Sequence, residues 1–242
     1  MHNVPSLELD HLVVAARTLD EGARFVTEAL GIELLPGGKH AGMGTHNRVL
    51  GLFGGAYLEV IAIDPDAEAH PASSSPATQR PGMDGVARAR WFELDRPAMR
   101  ERLERGPFLA HWAARVSRPR DLARWQSQYP SRIPPAIAMS RGVLTWRLTV
   151  PDDGSFPAWQ GAGDGVVPTL IQWDTPAHPG ATLPSSGVAL KTLKARHPQP
   201  ELAAAQLNWL GAAHLIVLDG VPAPAPALVA EFETPSGVRM LG

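Results

Sequence analysis

Leu7–Ala16 (LELDHLVVAA) and Tyr57–Asp64 (YLEVIAID) are apolar strands that each carry a polar residue where a buried strand ordinarily has none. These are His11 and Glu59. In the first stretch Leu9, His11, Val13 and Ala15 share one face, and Leu12 and Val14 point to the other. In the second, Tyr57, Glu59 and Ile61 share a face, with Leu58 and Val60 opposite. A carboxylate in a strand buried on both sides must be neutral, ion-paired or bound to a metal, because its unpaired burial costs several kcal/mol. An imidazole and a carboxylate on neighbouring strands supply two thirds of a divalent-metal site. The rival readings are a buried structural pair and a salt bridge from Glu59 to Arg48 across the hairpin.

Between these strands Thr18-Leu19-Asp20-Glu21 has the capping-box pattern. Leu19, Ala23, Val26 and Leu30 then form one stripe, and Gly31 is placed to close the helix in a left-handed conformation. A short strand is expected over Ile32–Leu35, ended by Pro36-Gly37-Gly38. Next comes a mobile glycine-rich loop over Gly37–Gly44 (GGKHAGMG), then a strand from about Arg48 to Phe53 and a hairpin turn at Gly54-Gly55. The order strand, helix, strand, strand, strand packs one helix on one face of a curved sheet and leaves the other face concave.

Beyond Asp64 the composition shifts to Pro, Ala, Ser and Gly as far as Arg90, which reads as a surface linker, disordered in part. Arg96–Arg105 is a short exposed helix with Met99 and Leu103 on one side. A second unit repeats the pattern: strand Phe108–Val116, helix Pro119–Tyr129, a strand over Ile133–Met139, and strands Gly142–Val150 and Val167–Trp173. A third has strand Val188–Arg196, helix Glu201–Leu210 ended by Gly211, and strands at His214–Leu218, Leu228–Phe232 and Val238–Leu241. The same order of elements recurs three times. The divisions are a first module over 5–64, a linker with a short helix over 65–107, a second module over 108–175 and a C-terminal strand–helix–strands unit over 187–242.

Composition narrows the function classes. A net charge of -2 gives no reason to expect nucleic acid or an anionic membrane as partner. The absence of cysteine removes disulfides, zinc–thiolate sites and thiol catalysis. The start of the chain, MHNVPSLELDH, has neither a basic n-region nor an apolar h-region, and no run approaches the length of a membrane span, so a soluble cytoplasmic protein is expected. Ser73-Ser74-Ser75 lacks the strand–turn–helix context of a nucleophile elbow, and GGKHAGMG matches neither a P-loop nor a dinucleotide fingerprint.

Among the remaining histidines, His46 stands at the mouth of the strand beside Glu59 as a third ligand or a solvent-exposed loop residue. His40 falls in the glycine-rich loop. His70, His178 and His197 each precede a proline and read as turn residues. His111 opens the second unit, where a two-unit metal site needs its second histidine, with a strand-edge role as the alternative.

Taken together, strand-borne His11, the capped helix, GGKHAGMGTHNRVLGL and YLEVIAID resemble the first module of a glyoxalase-like protein of the vicinal oxygen chelate superfamily. The segments GVLTWRLTVPD and VVPTLIQWDTPAHPGATLP and the closing strand–helix unit are similar to larger proteins of that group, so the likeness covers most of the chain. The resemblance implies an α+β fold of repeated βαβββ modules, whose curved, half-open mixed sheets surround a concave cavity. It places a divalent metal on His11 and Glu59, and neutral imidazole with carboxylate suits Zn, Mn, Fe or Ni. It calls for further ligands from the second module, where Gln172 stands at the position expected of a second glutamate.

On this reading Glu59 and His46 are the candidate catalytic groups, and Arg48, Asn47, Gln172 and Trp173 the substrate-binding ones. The function implied is a metal-dependent lyase, isomerase or dioxygenase acting on a small molecule with adjacent oxygens. The alternative is a non-catalytic protein of the same fold that sequesters a small molecule. Superfamily members often form homodimers, so a second copy of the chain is an expected partner.

Overall fold

The computed structural model describes residues 7–67, 89–176 and 178–242. Most of the expected linker, with His70 and the Ser73–Ser75 run, lies outside the described residues. The first module consists of β1 (Glu8–Ala15), α1 (Leu19–Leu30), β2 (Leu35–His40), β3 (Thr45–Gly51) and β4 (Tyr57–Ile63). Helix α1 starts as its capping box requires, with the Thr18 hydroxyl accepting from the Glu21 N–H at 3.2 Å. It ends on Gly31 at φ 75°.

Strand β2 corrects one expectation. It runs through Pro36-Gly37-Gly38 to His40, and only residues 41–44 turn. These glycines permit close approach instead of breaking the strand. A Cβ on Gly37 would lie 2.0 Å from Asn47 Oδ1, the oxygen that accepts from the Gly38 N–H at 2.6 Å.

After helix α2 (Pro97–Glu104) the second module repeats the topology with β5 (Phe108–Arg115), α3 (Leu122–Gln128), β6 (Ala136–Arg141), β7 (Leu144–Thr149) and β8 (Thr169–Trp173). The two modules form one eight-stranded sheet in the order β2-β3-β4-β1-β5-β8-β7-β6. Each module's first and last strands pair in parallel, β1 with β4 and β5 with β8, and β1 meets β5 antiparallel at the centre. The central register pairs His11 with Ala113, Leu12 with Trp112 and Val13 with His111. An approximate twofold axis therefore passes through the Leu12/Trp112 pair and relates His11 to His111.

A short helix α4 (Pro179–Thr182) leads to the third unit: β9 (Ala189–Arg196), α5 (Pro200–Leu210), β10 (Val217–Leu218), β11 (Ala227–Thr234) and β12 (Gly237–Leu241). Its order of elements follows the modules, but its topology does not. Strand β9 lies between β10 and β11, and the expected strand over His214–Leu218 is a 3-10 turn at Ala213–Leu215 followed by the two residues of β10.

The unit packs on the helix-bearing side of the large sheet, where Phe232, Leu193, Leu207 and Leu210 join Leu12, Val14, Leu58 and Trp112 in one apolar cluster. A second cluster fills the concave side with Val13, Ala15, Ile61, Trp91, Phe92, Trp146, Leu148 and Ile171. The sheet thus has a structural face and a face that curls around a site.

The helix face has little spare room. A Cβ on Gly22 of α1 would come 2.4 Å from Val60 Cγ1. Gly22→Ala is expected to push α1 off β4 and lower stability by about 1–3 kcal/mol, the usual range for overpacking. Urea unfolding monitored by circular dichroism measures the loss.

Candidate functional site

The concave face holds a small cavity of about 30 Å³ whose lining includes His11, His40, Asn47, Tyr57, Glu59, Arg141 and four aromatic walls, Trp91, Phe92, Trp146 and Trp173. A larger cavity of about 370 Å³ between α2, β5 and β11 has Glu93 and Asp164 in its lining but no histidine. The convergent polar groups therefore select the smaller one.

The site is built from the strand pleat, with one exception. His11, Asn47, Tyr57 and Glu59 reach the cavity because they are odd-numbered residues on strands whose odd positions face inward. Asp10 ought to face the helices. The β1–β5 register shifts between Leu9 and His11, however, and the Asp10 carboxylate reaches the same neighbourhood as His11. It is fully buried and receives three donors. Oδ1 lies 2.7 Å from His11 Nδ1, and Oδ2 is 2.9 Å from both Trp173 Nε1 and His178 Nε2. Burial alone would raise the pKa of Asp10, but the hydrogen bonds and charges of His11 and His178 outweigh it and hold the carboxyl well below the usual range.

These bonds settle two tautomers. The Gly180 N–H donates to His178 Nδ1 at 3.0 Å, so Nε2 carries the proton donated to Asp10. His11 donates Nδ1–H to Asp10, and its neutral form turns the Nε2 lone pair toward Glu59 Oε2, 3.6 Å away. Burial opposes protonation of His11, but the carboxylates of Asp10 and Glu59 more than offset it, and the ring titrates above its ordinary value. Tyr57 stacks on the ring at 4.7 Å.

Glu59 is positioned by Asn47, whose Nδ2 donates to Oε1 at 2.5 Å. His40 Nε2 lies 3.8 Å from the same oxygen, and its Nδ1 is 3.1 Å from Thr45 Oγ1. Burial lowers the His40 pKa to about 4, so this ring is neutral at pH 7.

The twofold relation identifies the matching positions in the second module. Val13 is opposite Glu59 on β4, and Ala113 is opposite Thr169 on β8. Thr169 therefore occupies the position equivalent to Glu59, and His111 the position of His11. His111 is sealed off: the Thr169 N–H donates to Nε2 at 3.1 Å, and Nδ1–H donates to the Gly165 carbonyl at 3.0 Å. One module presents a histidine and a carboxylate to the cavity, and the other closes the corresponding pair on itself.

Comparison with known proteins decides the family. The model of a glyoxalase-like domain matches residues 9–211. The chain belongs to that family. No curated protein matches this glyoxalase-like chain. Among solved structures it is similar to a hypothetical protein from Staphylococcus aureus, with 15% identity, a TM-score of 0.54 and coverage of 97% of this chain and 84% of that one. A methylmalonyl-CoA epimerase from Mycobacterium tuberculosis shows 18% identity, a TM-score of 0.40 and coverage of 74% of this chain and 93% of that one. These similarities concern the fold.

The other residues singled out in the sequence of this glyoxalase-like chain lie as follows. Trp173 and Asn47 line the cavity. Arg48 does not; an even-numbered residue on β3, it reaches the α1 side and pairs with Asp20 at 2.6 Å. His46, also even-numbered, sits 4.0 Å from Asp64 near the start of β3 and is not part of the cavity wall. Gln172 faces the helices, where its Oε1 accepts from the Leu122 N–H and its Nε2 donates to the Val116 and Arg120 carbonyls. Both polar atoms of that amide are engaged on the helix side of the sheet, outside the cavity lining, so Gln172 positions α3. His178 is the N-cap of α4 and also a partner of Asp10, a role its His-Pro sequence does not disclose. His40 and Arg141 line the cavity and Asp10 lies buried behind His11, and the sequence reading missed all three.

No group of three or more His, Asp or Glu among the described residues is gathered closely enough to hold a metal by itself. The two-donor set, His11 Nε2 and Glu59 Oε2, nevertheless suits a divalent ion at an open site. One donor is an imidazole whose other nitrogen is fixed by a carboxylate, the usual second-layer arrangement around metal-bound histidine, and the other is a hard oxygen.

Proposed function

We propose that this chain is a small-molecule enzyme of the glyoxalase-like group whose site is the His11–Glu59 cavity. His11 Nε2 and Glu59 Oε2 would hold a divalent metal. Such an ion, when bound, polarises adjacent oxygens of a substrate as a Lewis acid. The single observation that supports this most is the line Asp10–His11–Glu59, in which Asp10 fixes the Nδ1–H tautomer and leaves a lone pair directed at the carboxylate.

The chain's other residues define the environment. Asn47 holds Glu59 Oε1, and Tyr57 fixes the plane of the His11 ring. Trp91, Trp146 and Trp173 restrict water and strengthen every electrostatic contact within the cavity. His40 Nε2, beside Glu59 Oε1, is placed to exchange a proton with a bound molecule. The reaction class this supports is an isomerisation, lyase step or dioxygenation at a carbon next to the chelated oxygens.

Metal content by mass spectrometry, on protein dialysed without chelator and then equilibrated with Zn, Mn, Fe or Ni, tests the reading. Wild type should retain close to one equivalent of at least one ion, and Glu59→Gln should lose it. Wild type that retains none would overturn the metalloenzyme reading and leave a binding protein.

A further inference from the structure

We propose that Arg141 and Trp91 form an anion subsite beside Glu59, and that the molecule the cavity takes is a small 2-oxo- or 2-hydroxycarboxylate. This deepens the reading above and rests on it for the place of the second oxygen.

Arg141 is the last residue of β6, on the strand face that points inward with Ile137 and Met139. Its side chain crosses from the second module's edge strand to the first module's: a Cβ on Gly38 would meet its Cδ at 2.8 Å. There Nη1 makes one long contact, 3.4 Å, to Asn47 Oδ1, an oxygen already accepting from Gly38. Among the described residues no carboxylate lies within 4.0 Å of the guanidinium; the ion pairs of the cavity belong to His11 and His40. The part-buried guanidinium lines the cavity with donors to spare, and its parallel N–H groups match a carboxylate's two oxygens.

Trp91 gives an independent indication. It is a buried wall of the same cavity, and its Nε1–H has no acceptor among the described residues. Buried donors are nearly always paired. Trp91 and Arg141 line one cavity from separate elements, and an oxygen-rich anion is the acceptor assigned to both. The flat walls of Trp146 and Trp173 and the small volume favour a planar carboxylate over a larger, strongly hydrated tetrahedral anion.

Asn47 sets the spacing. Its Oδ1 faces Arg141 and its Nδ2 donates to Glu59. A single amide links Arg141 to Glu59, and in so small a cavity a carboxylate whose second oxygen is on the adjacent carbon is the most compact molecule that presents both groups.

The test is titration of intrinsic tryptophan fluorescence, confirmed by ligand-observed NMR, with pyruvate, lactate, acetate, pyruvamide and inorganic phosphate as probes. Pyruvate or lactate is expected to bind at least about tenfold more tightly than acetate, pyruvamide or phosphate, the worth of one charged hydrogen-bonded pair. Arg141→Gln should lose about tenfold or more and Arg141→Lys somewhat less, with thermal midpoints near that of wild type as the folding control. Trp91→Phe should lose severalfold while keeping the aromatic wall. His11→Ala should erase the preference for pyruvate over acetate.

Equal binding of pyruvate and pyruvamide, or unchanged affinity in Arg141→Gln, would overturn the subsite. Glu59-dependent metal with binding of neutral diketones but of no carboxylate would also overturn it and leave the His11–Glu59 reading standing. Carboxylate binding that needs Arg141 yet ignores His11→Ala would support the subsite and sink the His11–Glu59 reading.

Discussion

Asp10→Ala is expected to be the most damaging single change in the site, lowering stability by about 3–6 kcal/mol. The carboxylate satisfies three donors, the buried His11 Nδ1–H and the part-buried Trp173 Nε1–H and His178 Nε2–H. Each donor left unpaired in the interior costs about 1–3 kcal/mol. Removing the buried charge itself relieves some desolvation, which keeps the total below the upper sum.

Asp10→Asn separates stability from function. An amide offers one acceptor oxygen. The lower-cost orientation turns that oxygen to Trp173 and His178 and its N–H to His11, whose ring can change tautomer to accept. His11 then carries its proton on Nε2, and the lone pair leaves the cavity. The amide variant should therefore unfold at higher denaturant than Asp10→Ala yet bind metal no better. Denaturant midpoints together with imidazole ¹⁵N shifts measure both. An Asn variant that keeps Nδ1–H and binds metal like wild type would show that Asp10 does not orient the ring.

The first layer of this site was legible because strand parity is a local property. His11 and Glu59 stand out as polar residues in apolar alternation, and alternation alone puts them on the inner faces of β1 and β4. What parity could not reveal was set by pairing. Asp10 escapes its expected face through a register shift that depends on β5, about a hundred residues away in sequence. His178 meets Asp10 across 168 residues. A His-Pro pair correctly signals an extended residue entering a turn, but not which way the ring points.

His40 was hidden by Pro36-Gly37-Gly38. Those residues usually interrupt a strand, whereas here the glycines make room for Asn47 and Arg141. The second-module position was misread for a related reason. Gln172 is the conspicuous polar residue of its strand, but only the pairing of Ala113 with Thr169 identifies the equivalent of Glu59. The order of elements in the third unit was readable as well, while its changed topology depended on β10 being two residues long.

The sealed half of the site yields the second large effect, a loss of stability in acid that His111→Gln should diminish. His111 is fully buried between Phe92 and Phe156. Its Nε2 accepts from the Thr169 N–H, and among the described residues no carboxylate pairs with it. Burial lowers its pKa from 6.5 to about 3, with the hydrogen bond to the Gly165 carbonyl opposing the shift and the charge of His11 adding to it. The folded state thus favours the neutral ring. The unfolded chain takes up a proton near pH 6.5 that the folded chain refuses until about pH 3. The stabilising contribution is complete above the unfolded value and is lost as the pH falls through that window. At pH 4 the loss from this residue is about 3 kcal/mol at 1.36 kcal/mol per pH unit. Glutamine can accept from the Thr169 N–H and donate to Gly165 without titrating. His111→Gln is expected to be somewhat less stable than wild type at pH 7.5, because the amide fills the space less well, but to lose about 2–3 kcal/mol less on going to pH 4. Urea midpoints of both proteins at the two pH values give the difference directly, and equal acid losses would mean that the closed His111–Thr169 pair does not set the acid limit of the fold.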